Sequence, residues 1–240
     1  MSGNILDPMS HPNISSQLQD TFAELTPPVE SLQVLRELKA SKPMRILEIG
    51  VGNGYVSNEL AKAGHRVTGM DLFEAPLNTL SPAVERIRFD IERDEVPKEL
   101  HAEFDVVLAL AILEHVHDEA GVLRRISSML KPAGLIYAST PNINWWPFRI
   151  KYMFGKTVDD FHTCDHVKFW NLRAFARIFD QNGFSILRQF TSLGILNPTW
   201  PLIQKRSGKG FEIVGKWLFL ESVTARPLLG YNQVVLARKK

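Results

Sequence analysis

This 240-residue sequence lacks the features that mark secreted and membrane proteins. Cys164 is the only cysteine, which excludes an internal disulfide and fits a reducing compartment. No stretch approaches the ~18 consecutive apolar residues that a membrane-spanning helix needs. Residues 1–19 are polar, without the basic start and apolar run of a signal peptide. We therefore expect a cytoplasmic protein.

The composition is that of an ordinary globular protein, but its charge is unevenly distributed. Apolar residues make up 45% and charged residues 22% of the chain, and this length predicts one domain with elaborations. The net charge is +2. Residues 141–240 carry 15 Lys and Arg against 6 Asp and Glu, whereas residues 1–140 carry 13 against 20. This asymmetry indicates either an anionic partner or substrate near the C-terminal part, or a solvated basic surface.

Short apolar strands alternate with amphipathic helices along the chain. The predicted strands are 45–49, 66–70, 86–89, 104–111, 135–139, 184–190 and 232–237. The predicted helices are 29–40, 55–63, 120–130 and 172–181. This alternation favours an α/β fold with a doubly wound, mostly parallel seven-stranded sheet. Two long pieces, 142–166 and 191–230, interrupt the pattern, and their aromatic content argues against plain disorder.

A glycine-rich turn follows the first strand, and an acidic residue ends each of the next two. The turn, EIGVGNG (48–54), has the spacing G-x-G-x-G, because Tyr55 stands where a dinucleotide fingerprint would place its third glycine. Asp71 lies where a carboxylate can accept hydrogen bonds from ribose hydroxyls, and Asp90 could accept from an adenine amine. In an open parallel sheet these strand ends share the edge where ligands bind. The glycines could also form only a tight turn, and Asp71 could cap a helix.

Five segments of the sequence carry recognisable motifs. They are ILEIGVGNG (46–54), VTGMD (67–71), RFDIE (88–92), FDVVLALAILEHVHD (104–118) and LRRISSMLKPAGLIYASTPN (123–142). Together they resemble the class I S-adenosylmethionine-dependent methyltransferases over residues 44–141, with weaker support to residue 190. The later pieces DH (165–166) and NGF (182–184) are similar to small-molecule members, including O-methyltransferases of quinone biosynthesis.

The resemblance implies S-adenosylmethionine as cofactor and a role for each matching residue. The implied cofactor-binding residues are Glu48, Gly50, Gly52, Gly54, Tyr55, Asp71, Leu72, Asp90, Ile91, Ala109 and Leu110. The glutamate and glycines would shape the methionine and ribose pocket, Asp71 would bind the ribose, and Asp90 with the Ile91 backbone would hold the adenine. Residues 109–111 read Ala-Leu-Ala, where many relatives carry a polar or acidic residue. This departure leaves the substrate side of the fourth strand without an obvious acid or base.

The order and length of these segments also predict a division of the chain. Residues 1–43 would form an N-terminal helical cap, 44–141 the cofactor-binding core, and 142–240 a continuation of the sheet. The insertions 142–166 and 191–230 would form lids. If strands one to six are parallel, both insertions leave the edge that binds the cofactor, so both can cover an acceptor.

The implied chemistry is an in-line displacement at a sulfonium methyl group, for which the protein mainly aligns a nucleophile and excludes water. A hydroxyl acceptor also needs deprotonation, and His is the usual base. His115 and His166 are the candidate catalytic residues, with His117 and His162 as alternatives, although His115 could instead only shape its loop. His162, Cys164 and His166 have zinc-like spacing, but no second cluster accompanies them, so no metal is expected.

The leading hypothesis for function is a small-molecule methyltransferase directed at oxygen. Aromatic and basic residues mix in 145–156 and 216–220, which suits an aromatic or lipid-linked acceptor with an anionic group, or peripheral contact with an anionic membrane. The same aromatics could instead pack within the lids. The alternatives are a nucleic-acid or protein methyltransferase and a non-catalytic binding protein that retains the fold. No nucleic-acid partner is expected, because the sequence contains no recognisable RNA-binding module.

Overall fold

The computed structural model describes residues 29–157, 166–192 and 230–240. The strands are β1 Arg45–Ile49, β2 Arg66–Asp71, β3 Glu85–Arg88, β4 Phe104–Leu110, β5 Leu130–Pro141, β6 Phe184–Ser192 and β7 Asn232–Lys239. The helices are α1 Val29–Lys39, α2 Tyr55–Lys62, α3 Glu74–Leu77, α4 Glu119–Met129, α5 Trp146–Met153 and α6 Leu172–Gln181. Short 3₁₀ turns occupy Lys98–Leu100 and Leu113–His115. Within these described ranges, no helix is both long and apolar enough to cross a bilayer.

The strands form one seven-stranded sheet in the order β3-β2-β1-β4-β5-β7-β6. Strands β1 to β5 pair in parallel, whereas β7 is antiparallel to both β5 and β6. Strand β6 therefore runs in the same direction as β1 to β5, and all six end on one side, which we term the carboxyl edge. The predicted mostly parallel, seven-stranded sheet is confirmed. The strand order reverses between β1 and β4, which is where ligands bind in doubly wound folds.

Apolar residues cover both faces of the sheet and form two cores. One core packs α4 and α6 against the sheet through residues such as Leu123, Ile126 and Phe175. The other packs α1 and α2 through residues such as Val34 and Leu60. Each such side chain contributes roughly 1.5–3 kcal/mol when fully buried. The two cores make the sheet rigid, so the strand ends at the carboxyl edge are fixed relative to one another.

Side-chain caps determine where two of these helices begin. The Asp118 carboxylate accepts a hydrogen bond of 2.8 Å from the Gly121 amide at the start of α4. The Asn171 side chain accepts one of 2.9 Å from the Ala174 amide at the start of α6. Such caps are worth about 1 kcal/mol each. One cap ends the segment that leads from β4 into α4. The other ends the segment that leads from the residues around position 166 into α6.

Some predicted boundaries were wrong. The fifth strand was predicted over 135–139, but β5 already begins at Leu130 and includes the segment 131–134. The segment forms an irregularity inside β5, because Ala133 has a φ of 60° and the β4–β5 register shifts there. Strand β3 ends at Arg88, so Asp90 lies two residues beyond the strand. Most of the predicted lid 191–230 lies outside the described residues.

Candidate active site

The glycine loop, residues 50–54, joins β1 to α2 at the carboxyl edge. Gly50, Gly52 and Gly54 all have left-handed backbone angles, with φ of 74°, 53° and 70°. A Cβ atom on Gly50 would overlap the Ile112 side chain, and one on Gly54 would lie 2.5 Å from Oγ1 of Thr79. Among the described residues, a Cβ on Gly52 would have no neighbour within 4 Å. Gly50 and Gly54 are therefore needed for packing, whereas Gly52 borders open space that a ligand can enter.

Asp71 connects the end of β2 to this loop. Its Oδ2 accepts a hydrogen bond of 3.0 Å from the Val51 amide, and its Oδ1 accepts one of 3.0 Å from the Phe73 amide. The amides of Gly52 and Leu72 also help to hold this carboxylate at the loop. Burial raises the pKa of Asp71, although these backbone donors oppose the shift. Phe73, rather than Asp71, occupies the N-cap position of α3.

Glu48 lies beneath the loop and is 4% exposed. The Ser57 hydroxyl of α2 donates a hydrogen bond of 2.5 Å to its carboxylate. Burial raises the pKa of Glu48 to about 8, and the nearby charge of Asp71 adds to this shift. The carboxyl group is therefore mostly protonated at neutral pH. A cationic ligand group next to it would favour loss of that proton.

Three large side chains are exposed where the loop meets β2. Tyr55 is 37%, Leu72 44% and Phe73 55% exposed. Tyr55 and Leu72 were predicted as cofactor-binding residues, whereas Phe73 was not. Its position next to Asp71 and Leu72 was the signal available in the sequence. Exposed apolar side chains beside a polar anchor are suited to contact a ligand with both ring and hydroxyl groups.

Asp90 and Ile91 occupy a turn after β3. Oδ1 of Asp90 accepts hydrogen bonds from the amides of Glu92 at 2.9 Å and Arg93 at 3.2 Å. The carboxylate therefore stabilises its own turn, and Ile91 packs into the core beneath it. A contact of Asp90 with adenine stays a prediction.

The end of β4 changes direction sharply. The Ala109 side chain is fully buried in the core, so only its backbone can face a ligand, and Leu110 is partly buried. Ala111 has a φ of 55°, a conformation rare outside glycine, and its amide donates to the Ser139 carbonyl at 3.1 Å. Such strain concentrates at functional sites. The turn directs Leu113–His115 across the carboxyl edge.

His115 and His166, the two predicted catalytic residues, meet at this turn. Their ring centroids lie 4.6 Å apart in an edge-on arrangement. A carboxylate oxygen of Glu114 and a ring nitrogen of each histidine all lie within 4.8 Å of one another. Glu114 is 1% exposed, whereas both histidines are partly exposed. We term these three residues the β4 cluster; sequence reasoning missed Glu114, although it lies in the Leu-Glu-His-Val motif.

The remaining predicted histidine candidates are not part of the β4 cluster within the described residues. The His117 side chain is 78% exposed, and its Nδ1 lies 3.7 Å from a carboxylate oxygen of Glu92. His162 and Cys164 lie outside the described residues, so the structure does not test the zinc-like spacing noted in the sequence.

The segment that carries His166 is attached to the β4 turn by backbone and side-chain bonds. The amides of Val167 and Lys168 donate to the Glu114 carbonyl at 2.8 and 3.2 Å. Lys168 also forms an ion pair with Glu119 at the start of α4. These bonds hold His166 against the β4 turn, although the two segments are distant in sequence.

Comparison with known proteins agrees with this architecture. Residues 22–189 match the family model described as a methyltransferase domain. The chain belongs to this family. It is a class I methyltransferase domain, and S-adenosylmethionine is its cofactor.

Individual relatives extend this comparison. The ubiquinone biosynthesis O-methyltransferase of Pseudomonas aeruginosa is 38% identical over 105 residues, which are 42% of this chain and 45% of that protein. The match thus spans less than half of that relative. A SAM-dependent methyltransferase from Archaeoglobus fulgidus superposes with a TM-score of 0.61 at 16% identity, covering 94% of this chain and 99% of that one. The 1,6-didemethyltoxoflavin-N1-methyltransferase of Burkholderia thailandensis, solved with S-adenosylhomocysteine, gives 0.53 at 16% identity, covering 98% and 93%.

The geometry of this methyltransferase domain indicates which residues could hold the cofactor. The open space above Gly52 lies beside the Asp71 carboxylate and the exposed side chains of Tyr55, Leu72 and Phe73. The side chain of Ile112, two residues before Glu114, lies next to Gly50, so the glycine loop adjoins the turn that carries the β4 cluster. A methyl donor on one side would therefore lie near ionisable groups on the other.

Proposed function

We propose that the protein transfers the methyl group of S-adenosylmethionine to a hydroxyl oxygen of a small molecule. The observation that carries this proposal is the position of the β4 cluster. It combines Glu114, His115 and His166 on the same edge as the glycine loop, one strand away from β1. A hydroxyl acceptor needs groups that promote loss of its proton, and this cluster supplies them.

The reaction is a direct displacement at the methyl carbon. The acceptor oxygen loses its proton to a group or water at the β4 cluster and attacks the methyl carbon in line with the sulfur. The carbon–sulfur bond electrons return to sulfur, which leaves neutral S-adenosylhomocysteine. The protein contributes alignment of the two reactants and exclusion of water. His115 and His166 are the proposed catalytic residues.

The proposed cofactor contacts follow from the geometry of the loop. Asp71 binds the ribose hydroxyls from the end of β2, where the amides of Val51 and Phe73 hold its carboxylate in place. Gly52 admits the cofactor because no atom of residues 29–157, 166–192 or 230–240 occupies the space above it. Glu48 balances the positive charge of the methionine part from beneath the loop. Asp90 with the Ile91 backbone holds the adenine.

The acceptor is proposed to be aromatic or lipid-linked, with anionic character. Helix α5 and the residue after it expose Ile150 at 44%, Met153 at 84% and Phe154 at 81%. Basic residues Arg149 and Lys151 lie on the same short helix. This combination supports an apolar acceptor with a negative group, or contact with an anionic membrane surface. The similarity to the Pseudomonas ubiquinone biosynthesis O-methyltransferase also favours an oxygen acceptor.

The cofactor assignment is tested by calorimetry with S-adenosylmethionine and with NAD. Only the former is expected to bind. Asp71→Ala should weaken binding about ten- to a hundredfold, because the ribose loses a charged acceptor. Asp180→Ala, which removes a carboxylate 68% exposed on α6, is the matched control. Unchanged affinity in Asp71→Ala with an intact fold would refute the ribose contact, and binding of NAD alone would refute the cofactor site.

The reaction is tested by release of S-adenosylhomocysteine from panels of hydroxyl and amine acceptors that share a scaffold. Turnover only with the hydroxyl compounds supports the proposal. Turnover only with RNA or protein would favour the alternative acceptor class. Binding of the cofactor without any turnover would favour a non-catalytic binding protein.

A further inference from the structure

The turn that follows β3 is bonded to the segment that follows β4. Glu92 extends from this turn, and its Oε1 accepts hydrogen bonds from the amides of His117 at 2.7 Å and Asp118 at 2.9 Å. These three residues belong to two of the sequence motifs, RFDIE (88–92) and FDVVLALAILEHVHD (104–118). None of them takes part in the proposed displacement. The bonds therefore join two motifs that are distant in sequence, and the proposed chemistry does not explain why.

The Glu92 carboxylate is ionised when it makes these bonds. Burial acts to raise its pKa, but the amide bonds from Asp118 and His117 outweigh that effect and hold the pKa below its ordinary value. Hydrogen bonds to a charged acceptor are roughly twice as strong as those between neutral groups. Asp118 in turn caps α4 by accepting from the Gly121 amide at 2.8 Å. Glu92 therefore fixes the point at which the segment after β4 enters α4.

The same turn, residues 90–94, includes the carboxylate and the backbone that are proposed to hold the adenine, and we term it the adenine turn. The Glu92 amide donates to Oδ1 of Asp90 at 2.9 Å, so the backbone of Glu92 belongs to the turn that Asp90 stabilises. A second bond, of 3.1 Å, runs from Nε of Arg125 in α4 to the Asp94 carbonyl. The adenine turn and the first part of α4 are therefore attached to each other at two points.

The residues bonded to Glu92 adjoin the β4 cluster. His115 lies two residues before His117, and the Glu114 carbonyl accepts a hydrogen bond of 3.2 Å from the Lys168 amide. Nζ of Lys168 donates to the His117 carbonyl at 2.6 Å. The stretch that carries His115 is therefore held at one end through the Glu114 carbonyl and at the other end by Glu92.

We propose that Glu92 is a positioning residue that transmits occupancy of the adenine turn to the stretch that carries His115. This role of Glu92 rests on the proposed function, in which the adenine turn binds the adenine. A bound adenine restricts the motion of the turn, and the Glu92 carboxylate then holds the amides of His117 and Asp118 more firmly. The acceptor consequently meets a β4 cluster that is already ordered, so its binding is favoured once the cofactor is in place.

The test measures hydrogen exchange of the full chain at the amides of His117 and Asp118, with and without saturating S-adenosylmethionine. In the wild type, the cofactor should slow exchange at both amides at least tenfold more than at the Ala174 amide, which also bonds to a side-chain oxygen but lies in α6. Glu92→Ala should make exchange at both amides at least tenfold faster without the cofactor, and the cofactor should then slow them no more than Ala174. Glu92→Gln keeps an oxygen that can accept these bonds and should retain part of the cofactor-dependent slowing.

Glu59→Ala is the matched control, because the side chains of Glu59 and Glu92 are both 22% exposed. It should leave the response of His117 and Asp118 to the cofactor as in the wild type. Equal slowing by the cofactor in the wild type and in Glu92→Ala would overturn the proposed role, as would an equal loss of the response in Glu59→Ala.

Calorimetry on the same samples separates this role from the proposed function. It measures the affinity for S-adenosylmethionine and establishes that each sample is saturated. A wild type that binds no cofactor would refute both the proposed function and the role of Glu92. A wild type that binds the cofactor without slower exchange at His117 and Asp118 would refute only the transmission through Glu92.

Discussion

The two sides of the carboxyl edge are held together in different ways. The glycine loop is fixed by local backbone geometry, since Gly50 and Gly54 adopt left-handed angles that pack against neighbours. The β4 cluster is assembled from distant segments through a few bonds to the Glu114 carbonyl and one ion pair of Lys168. A site fixed by backbone geometry, such as the glycine loop, is suited to a ligand that never changes. A site assembled from distant segments, such as the β4 cluster, can change its ligand with few substitutions, which suits the side that selects an acceptor.

The largest expected effect comes from substitutions in the glycine loop. Gly50→Ala should lower the free energy of unfolding by about 3 kcal/mol, because alanine is strained at this φ and its Cβ overlaps Ile112. Gly52→Ala should lower it by only about 1 kcal/mol, since no atom lies near the new Cβ. Its affinity for S-adenosylmethionine should nevertheless fall at least tenfold. Urea denaturation and calorimetry measure both quantities, and normal cofactor affinity in Gly52→Ala would place the ligand elsewhere.

A second effect concerns Glu48 and pH. Because its pKa is raised to about 8 in the fold, the folded state holds a proton that the unfolded state releases near pH 4.5. The contribution of Glu48 to the free energy of unfolding is complete below pH 4.5 and is lost as the pH rises toward 8. The slope reaches at most about 1.4 kcal/mol per pH unit. Denaturation of the wild type between pH 5 and 8 should show this decline, and Glu48→Gln should remove it.

The same carboxyl group connects stability to ligand binding. A cationic cofactor next to Glu48 should lower its pKa and release up to one proton per molecule bound at pH 7. Calorimetry in buffers of different ionisation enthalpy measures that proton. Glu48→Gln should abolish the buffer dependence. A binding enthalpy that is independent of buffer in the wild type would show that the cofactor leaves Glu48 protonated.

The local side of this comparison could be predicted from the sequence. The glycine spacing, the acid before it and Asp71 at the end of β2 are set by residues close together in the chain. The central strands could be located because they are short apolar runs buried on both faces. In the sequence, His115 and His166 were two separate catalytic candidates, and their contact was not predicted. Its geometry depends on how residues 166–168 attach to the β4 turn, which no local pattern encodes.

Other missed features have specific physical reasons. Helix α5 contains a tryptophan and a proline in its first turn together with exposed apolar residues, so it lacks the periodicity that marks a helix. Helix α3 has four residues, too few for a pattern. Glu114 belongs to a quoted motif, but its burial follows from the left-handed Ala111, and a backbone angle of that kind is not expected of alanine.

The smallest expected effect tests whether the glycine loop and the β4 cluster, the two sides of the carboxyl edge, are held independently. Lys168→Met removes an ion pair with Glu119 and a hydrogen bond of 2.6 Å to the His117 carbonyl. The pair is partly exposed, so the free energy of unfolding should fall by about 1 kcal/mol or less. Hydrogen exchange at the Val167 amide should become several-fold faster, because the segment loses part of its attachment. Affinity for S-adenosylmethionine should not change, since the glycine loop is held independently.

A matched substitution shows whether this effect depends on place rather than on charge. Lys131→Met removes an ion pair of 2.7 Å with Asp105, similarly exposed, where β4 and β5 begin. It should cost comparable stability but leave exchange at Val167 unchanged. If both variants accelerate that exchange equally, the segment around His166 responds to global stability, and the β4 cluster is not the separately held unit described here. If neither variant accelerates exchange at Val167, the backbone bonds to the Glu114 carbonyl suffice on their own to hold His166 in place.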